Sequence, residues 1–97
     1  MNKIKVSSKS NCNNVASVIA NIIRQNSEIE VNTIGAGALN QTIKSIIIAK
    51  GILAPIGINI ICLPSFCDIK IGDSTKTGIR MLVKNIEKIW LLDSFVL

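Results

Sequence analysis

The chain of 97 residues contains no histidine and no tyrosine, and its aromatic side chains are limited to two Phe and one Trp. Without histidine it lacks the commonest general base, the commonest metal ligand and any Ser–His or Cys–His pair. Acidic residues are also few, six in all, and no pair of them is spaced for acid–base catalysis. The sequence therefore predicts a protein that is not an enzyme and that holds neither a metal ion nor a cofactor.

Cysteine is the next scarce residue type. Cys12, Cys62 and Cys67 are too few for a four-cysteine zinc site, and their odd number excludes a complete set of disulfides. We interpret them as small residues of the core or of a sheet edge. Since no apolar segment of a signal peptide follows the polar start at 1–10, unpaired cysteines favour a cytoplasmic location.

Long hydrophobic runs are absent as well. The most apolar stretch, residues 43–63, is interrupted by Lys44, Lys50, Gly51 and Pro55. Such a stretch does not span a bilayer, which needs about 20 consecutive apolar residues. We expect no membrane association.

The composition of the chain predicts one apolar, basic domain. Hydrophobic residues make up 48% of the chain and the mean hydropathy is +0.47, so a chain of this length can bury one core. The net charge of +5 favours anionic partners, and nucleic acid before a membrane surface. The alternative is that this charge only keeps the protein in solution.

The first third of the chain predicts a strand followed by a helix. Ile4 and Val6 alternate with polar residues, which indicates a short strand. A helix is predicted at about residues 12–26, with Asn11, Asn13 or Asn14 as its N-cap. Its apolar stripe repeats at helical spacing and contains Val15, Val18, Ile19, Ile22 and Ile23.

The middle of the chain repeats this order. A strand is predicted at 28–34, and the Gly35-Ala36-Gly37 turn leads into a second helix. Gly51 is predicted to end that helix, and Pro55 to prevent it from resuming. We expect its core face to consist of Leu39, Ile43, Ile46 and Ile47.

The last two strands complete an α+β sandwich. Strand 3 is predicted at 58–67 with a possible break at Pro64, a turn at 72–74, and strand 4 at 79–84. The order β-α-β-α-β-β predicts a four-stranded mixed sheet with both helices on one face. Because their connection is short, strands 3 and 4 should be antiparallel.

An apolar extension follows this domain of residues 1–85. Residues 86–97 are more apolar than a free tail, so we expect them to pack on the body or on a partner chain. The apolar residues also predict a homodimer, formed either through the tail or through helix 2 and strand 3. The residues that suggest it are Phe66, Trp90, Leu91, Leu92 and Phe95.

The turn before helix 2 is the most informative motif. Gly35 and Gly37 let a phosphate or another backbone approach closely, at a helix start that favours anions. Asn40 and Lys44 lie on the same helical face as Gly37, and Lys9 lies in the other strand-to-helix loop, at the same sheet edge. We predict that these five residues bind nucleic acid. The alternatives are tight strand–helix packing or a bound nucleotide or small anion for the glycines, and an ordinary solvated face for Lys44.

Several segments resemble one known family, the stage V sporulation protein S family. They are residues 5–10, 15–16, 34–41, 49–51, 54–55, 61–64 and 77–80. The resemblance implies a βαβαββ domain similar in fold to the Alba chromatin and RNA-binding proteins. It also implies a dimer that binds DNA or RNA and regulates spore development.

The chain departs from the Alba pattern at three positions. Gly35, Gly37 and Gln41 stand where Alba proteins carry basic side chains, so backbone amides replace a basic grip. The tail from residue 86 onward extends beyond the family pattern. A protein-interaction module that does not bind nucleic acid is therefore the alternative hypothesis.

Overall fold

The computed structural model describes residues 2–86, and its elements follow the predicted order β-α-β-α-β-β. A short 3-10 turn at Ala54–Ile56 separates the second helix from the third strand. The other elements are β1 (Lys3–Val6), α1 (Cys12–Asn26), β2 (Glu28–Thr33), α2 (Ala36–Leu53), β3 (Asn59–Ile71) and β4 (Ser74–Ile86).

The four strands form one mixed sheet in the order β1-β2-β4-β3. β1 and β2 are parallel, whereas β4 runs antiparallel to both β2 and β3. The predicted fold class is confirmed, and the architecture is compatible with an Alba-like fold. Because β1 and β2 run parallel side by side, both strand-to-helix connections leave the same end of the sheet.

Helix α1 has the predicted boundaries. Of the three possible caps, Asn11 takes the role, since its side-chain oxygen accepts a 3.0 Å hydrogen bond from the amide of Asn14. The buried face runs through Ala16, Ile19, Ala20 and Ile23. The prediction was wrong for Val18, which is exposed at the margin of that face.

Helix α2 buries a different face from the predicted one. Ile43 and Ile47 are exposed, Ile47 with 64% of its surface, while Leu39 and Ile46 are only partly buried. The reason is that α2 packs against α1, and small side chains let two helices approach closely. The buried face consists of Ala38, Thr42, Ser45, Ala49 and Leu53.

The end of α2 also corrects the prediction. Gly51 does not end the helix, which continues to Leu53 and then tightens into the 3-10 turn that contains Pro55. Burial of Leu53 holds this additional turn in place. The glycine whose backbone takes the left-handed conformation at the end of this segment is Gly57, with φ of 80°, and not the predicted Gly51.

The β3–β4 hairpin is longer than predicted. Pro64 does not interrupt β3, because β3 is an edge strand, where proline is tolerated. The predicted turn is confirmed: Gly72, with φ of 60°, lies at the tip between Ile71 and Ser74.

The core lies between the sheet and the two helices. Ile29 and Val31 of β2 and Val83 of β4 are fully buried there. Since side chains alternate along a strand, the residues between them point to the opposite side, which we call the open face. Among residues 2–86, no helix is long and apolar enough to cross a membrane.

Candidate nucleic-acid interface

The β1–α1 loop is held in shape by its own serines. The amide of Ser7 donates to Ser10 Oγ at 2.9 Å, and the amide of Lys9 donates to Ser7 Oγ at 3.2 Å. A backbone hydrogen bond from Ser10 to Ser7 closes the turn. These bonds fix the loop while the side chain of Lys9 remains exposed.

The start of α2 offers unfilled backbone donors. Gly35 precedes the helix with φ of 88° and ψ of 160°, a conformation that favours glycine, and no side chain caps the helix. No acidic residue lies in the first turn, and Ala36 and Gly37 are exposed. The free amides and the helix dipole together favour an anion at this position.

The loop and the helix start form one surface. A Cβ built on Gly37 would lie 2.9 Å from the Cβ of Ser8, so the two backbones approach as closely as a glycine permits. One turn further on, Gln41 Nε2 donates to the carbonyl of Ser10 at 2.9 Å. Sequence reasoning noted Gln41 only as a departure from a basic pattern and missed its role as the residue that ties α2 to the loop.

The structure thus brings Lys9, Gly35 and Gly37 to one end of the sheet, as predicted. Asn40 and Lys44 are exposed on α2. Lys44 stands about 10 Å along the helix from Gly37, at 1.5 Å per residue. The five residues therefore outline a surface that runs from the loop along the first two turns of α2.

The ion pairs of the described residues lie elsewhere. Arg80 NH1 is 3.4 Å from the carboxylate of Glu30, and Lys84 Nζ is 3.8 Å from that of Glu28. Within residues 2–86, neither Lys9 nor Lys44 forms a salt bridge. The two lysines of the candidate surface keep their charge available for a partner.

Phe66 is a neighbour that sequence reasoning did not connect with this surface. It lies on β3 with 79% of its surface exposed, and it lines a cavity of about 340 Å³ together with Gly35, Ala36 and Leu39. The sequence suggested Phe66 only as part of an association surface. An exposed aromatic ring beside the glycine turn adds an apolar wall to the anion-favouring helix start.

Gly78, also in this cavity, is a further residue whose role sequence reasoning missed. A Cβ at this position would overlap the carbonyl oxygen of Thr33. Thr33 in turn donates its hydroxyl to the carbonyl of Ile79 at 3.0 Å. A glycine inside a strand is the signal for such a close approach.

The cysteines take no part in a cluster. Burial raises the pKa of the Cys62 thiol, and Cys12 Sγ donates to the carbonyl of Gln41 at 3.6 Å. The part of the chain that the structure describes holds no group of three or more side chains placed to bind a metal ion.

A comparison of the sequence with protein-family models shows which family the chain matches. The family model described as stage V sporulation protein S (SpoVS) matches residues 2–86, which is the whole described part of the chain. The match confirms the resemblance carried by the glycine turn and its neighbouring segments, and it supports a role in sporulation. The chain belongs to the stage V sporulation protein S family.

Proposed function

We propose that this protein is a non-enzymatic, cytoplasmic regulator of spore development that acts by binding DNA or RNA. Membership of the family supports the role in sporulation. The observation that carries nucleic-acid binding is the single surface made by the Lys9 loop and the uncapped start of α2, joined through Gly37 and Gln41.

This surface suits a phosphate backbone. Amides at Gly35 to Gly37 donate to phosphate oxygens, while Lys9 and Lys44 neutralise phosphate charge and Asn40 donates an amide hydrogen bond. Contacts of this kind position a nucleic acid but read little sequence. The proposal therefore predicts salt-dependent binding with weak base preference.

We further propose that the protein acts as a homodimer through the outer face of α2. Ile43 and Ile47 lie one turn apart on this face and are exposed large apolar residues. A two-fold dimer buries the same patch from both copies. Asn40 lies one turn before Ile43, so the nucleic-acid surface borders the dimer patch in each copy. Sedimentation of the protein at micromolar concentration is expected to show a dimer, and Ile47→Lys is expected to shift it to the monomer. A monomeric parent protein would contradict the proposal.

The second candidate function, a protein-interaction module, is favoured by the same exposed isoleucines. The two functions differ in their dependence on salt. Binding to phosphates weakens steeply as salt rises because counterions are released, whereas apolar association does not.

The test is a titration of the protein against duplex DNA and single-stranded RNA at several salt concentrations. The variant Lys9→Ala/Lys44→Ala is expected to weaken binding and to lower the slope of log affinity against log salt by about two units. The control is Arg24→Ala/Lys50→Ala, which removes the same charge from the last turns of α1 and α2. It is expected to retain most of the parent's slope.

Two outcomes would overturn the proposal. One is a parent protein that binds neither nucleic acid at low salt. The other is a folded Lys9→Ala/Lys44→Ala variant that binds as tightly as the parent, which would favour the interaction module. Circular dichroism of each variant shows whether it is folded.

A further inference from the structure

The open face of the sheet carries a strip of apolar residues where β3 and β4 pair. Leu63 lies directly opposite Leu82, and Leu63 is 47% exposed. A sheet face turned to water ordinarily carries polar side chains, as Glu28 and Lys84 do on this one. The apolar strip consists of Ile61, Leu63, Leu82 and Ile86; Lys84, which pairs with Glu28, lies opposite Ile61 between Leu82 and Ile86.

A small pocket adjoins the apolar strip. Its volume is about 280 Å³, and Glu30, Leu63, Arg80 and Leu82 are among its lining residues. The side chain of Glu30 is only 8% exposed, although it points away from the core. Leu63 and Leu82 belong both to the apolar strip and to the lining of the pocket.

The buried carboxylate of Glu30 is already satisfied. Arg80 NH1 lies 3.4 Å from it, Asn32 Nδ2 donates at 3.1 Å, and Lys3 Nζ lies at 4.0 Å. Covering the surface therefore leaves no carboxylate without partners. The long stems of Lys3 and Arg80 can lie under a cover while their charged ends stay in water.

The chain itself supplies an apolar segment at this place. Ile86, the last described residue, belongs to the apolar strip. The eleven residues after it, 87–97, lie beyond the part that matches the family model. They contain seven large apolar residues: Ile89, Trp90, Leu91, Leu92, Phe95, Val96 and Leu97.

The length of this segment is sufficient. Leu82 lies four residues back along β4, or about 14 Å from Ile86 at the rise of an antiparallel strand. Eleven residues reach up to about 36 Å when extended. Since the segment is attached at the apolar strip, its effective concentration there exceeds that of any separate chain.

We propose that residues 87–97 fold back from Ile86 and cover the apolar strip and its pocket on the same chain. This places the tail on the side of the sheet opposite the helices. The outer face of α2 stays free, so the inference does not depend on nucleic-acid binding or on the dimer.

The test uses Trp90, which is the only tryptophan of the chain. In the parent protein we expect blue-shifted emission and weak quenching by acrylamide, both unchanged on dilution. Leu63→Arg is expected to shift the emission toward that of the unfolded chain and to raise quenching severalfold. Ile47→Arg, the matched control on the outer face of α2, is expected to change neither.

Three outcomes would overturn the inference: solvent-like emission from the parent, exposure of Trp90 by Ile47→Arg instead of Leu63→Arg, or a red shift on dilution, which would place the tail on a second copy. Circular dichroism checks the fold of each variant. If Leu63→Arg does not fold, Leu63→Ser provides the same comparison with a smaller change.

Discussion

Gly37 and Ser8 pack so closely that a Cβ added to Gly37 would lie 2.9 Å from the Cβ of Ser8. Gly37 is inside α2 and its φ is not positive, so backbone conformation does not require glycine there. The close approach of two backbones requires it. This contact sets the position of the Lys9 loop relative to the start of α2.

Gly37→Ala should therefore lower the free energy of unfolding, by about 1 kcal/mol or more, because the added methyl group forces the loop to move. Gly51 provides the matched control, since it lies in the same helix and a Cβ added to it would meet nothing within 4 Å. Gly51→Ala should raise stability by about 0.5–1 kcal/mol, as expected for a helix interior. Urea denaturation measures both; equal effects would contradict the role of the contact.

Ser8, which packs against Gly37, gives a second prediction. In the double variant Ser8→Gly/Gly37→Ala, the methyl group on residue 37 gains the space that Ser8 Cβ leaves. The two substitutions should couple favourably, by about 0.5 kcal/mol or more in a double-mutant cycle. Purely additive effects would show that the alanine at 37 is destabilising for another reason.

The fold was predictable where local signals were strong. The stripe and caps of α1 gave its boundaries at residues 12–26, and the glycine turn placed the start of α2. Alternation of apolar residues and the short last connection predicted the antiparallel pairing of β3 with β4. Each of these signals lies within a few residues of the element it describes.

The errors arose where distant parts of the chain decide the outcome. Isoleucines on α2 predicted a core face, but packing on α1 selected small residues such as Ala38 and Ala49. The tie from Gln41 to Ser10 joins residues 31 positions apart, so no local pattern announces it. For the candidate site, residue types were thus predictable, while the contacts that assemble them were not. Of the predicted tail, residues 86–97, Ile86 belongs to β4, and the contacts predicted for the rest lie outside the described residues and stay a prediction.

Thr42 gives a prediction about the α1–α2 contact. It is fully buried, and its hydroxyl is the buried side-chain oxygen without a hydrogen-bond partner within residues 2–86. Thr42→Val removes that hydroxyl with nearly the same shape and should stabilise the protein by about 1 kcal/mol. Thermal unfolding measures the change. A loss of stability would show that the hydroxyl is satisfied in solution.

Glu30 on the open face should contribute more to stability than Glu28 on the same strand. Glu30→Gln removes a charge held by Arg80 and Lys3, and we expect a loss of about 1–2 kcal/mol, typical of hydrogen bonds to charged groups. Glu28 is 34% exposed and pairs only with Lys84, so Glu28→Gln should cost less than about 0.5 kcal/mol. Urea denaturation of both variants tests this order, and the reverse order would contradict it.

The raised pKa of Cys62 predicts slow alkylation. Its thiol is half-buried on β3, and desolvation disfavours the thiolate, which is the reactive form. Iodoacetamide should therefore label Cys62 more slowly in the folded protein than in urea, with a rate that rises at higher pH than for a free thiol. Mass spectrometry of the cysteine peptides measures the rates. Equal rates in both states would contradict the burial of the thiolate.

The same shift predicts how stability depends on pH. In the unfolded chain the thiol ionises at its ordinary pKa, whereas in the folded chain burial keeps it protonated to higher pH. Between these two values the unfolded state binds fewer protons, so the contribution of Cys62 is complete below the ordinary pKa and declines as pH rises through the window. Cys62→Val removes this titration while keeping an apolar side chain opposite Val83. As pH rises above the ordinary pKa of the thiol, the parent should lose more stability than Cys62→Val, and parallel pH profiles would show that the thiol titrates alike in both states.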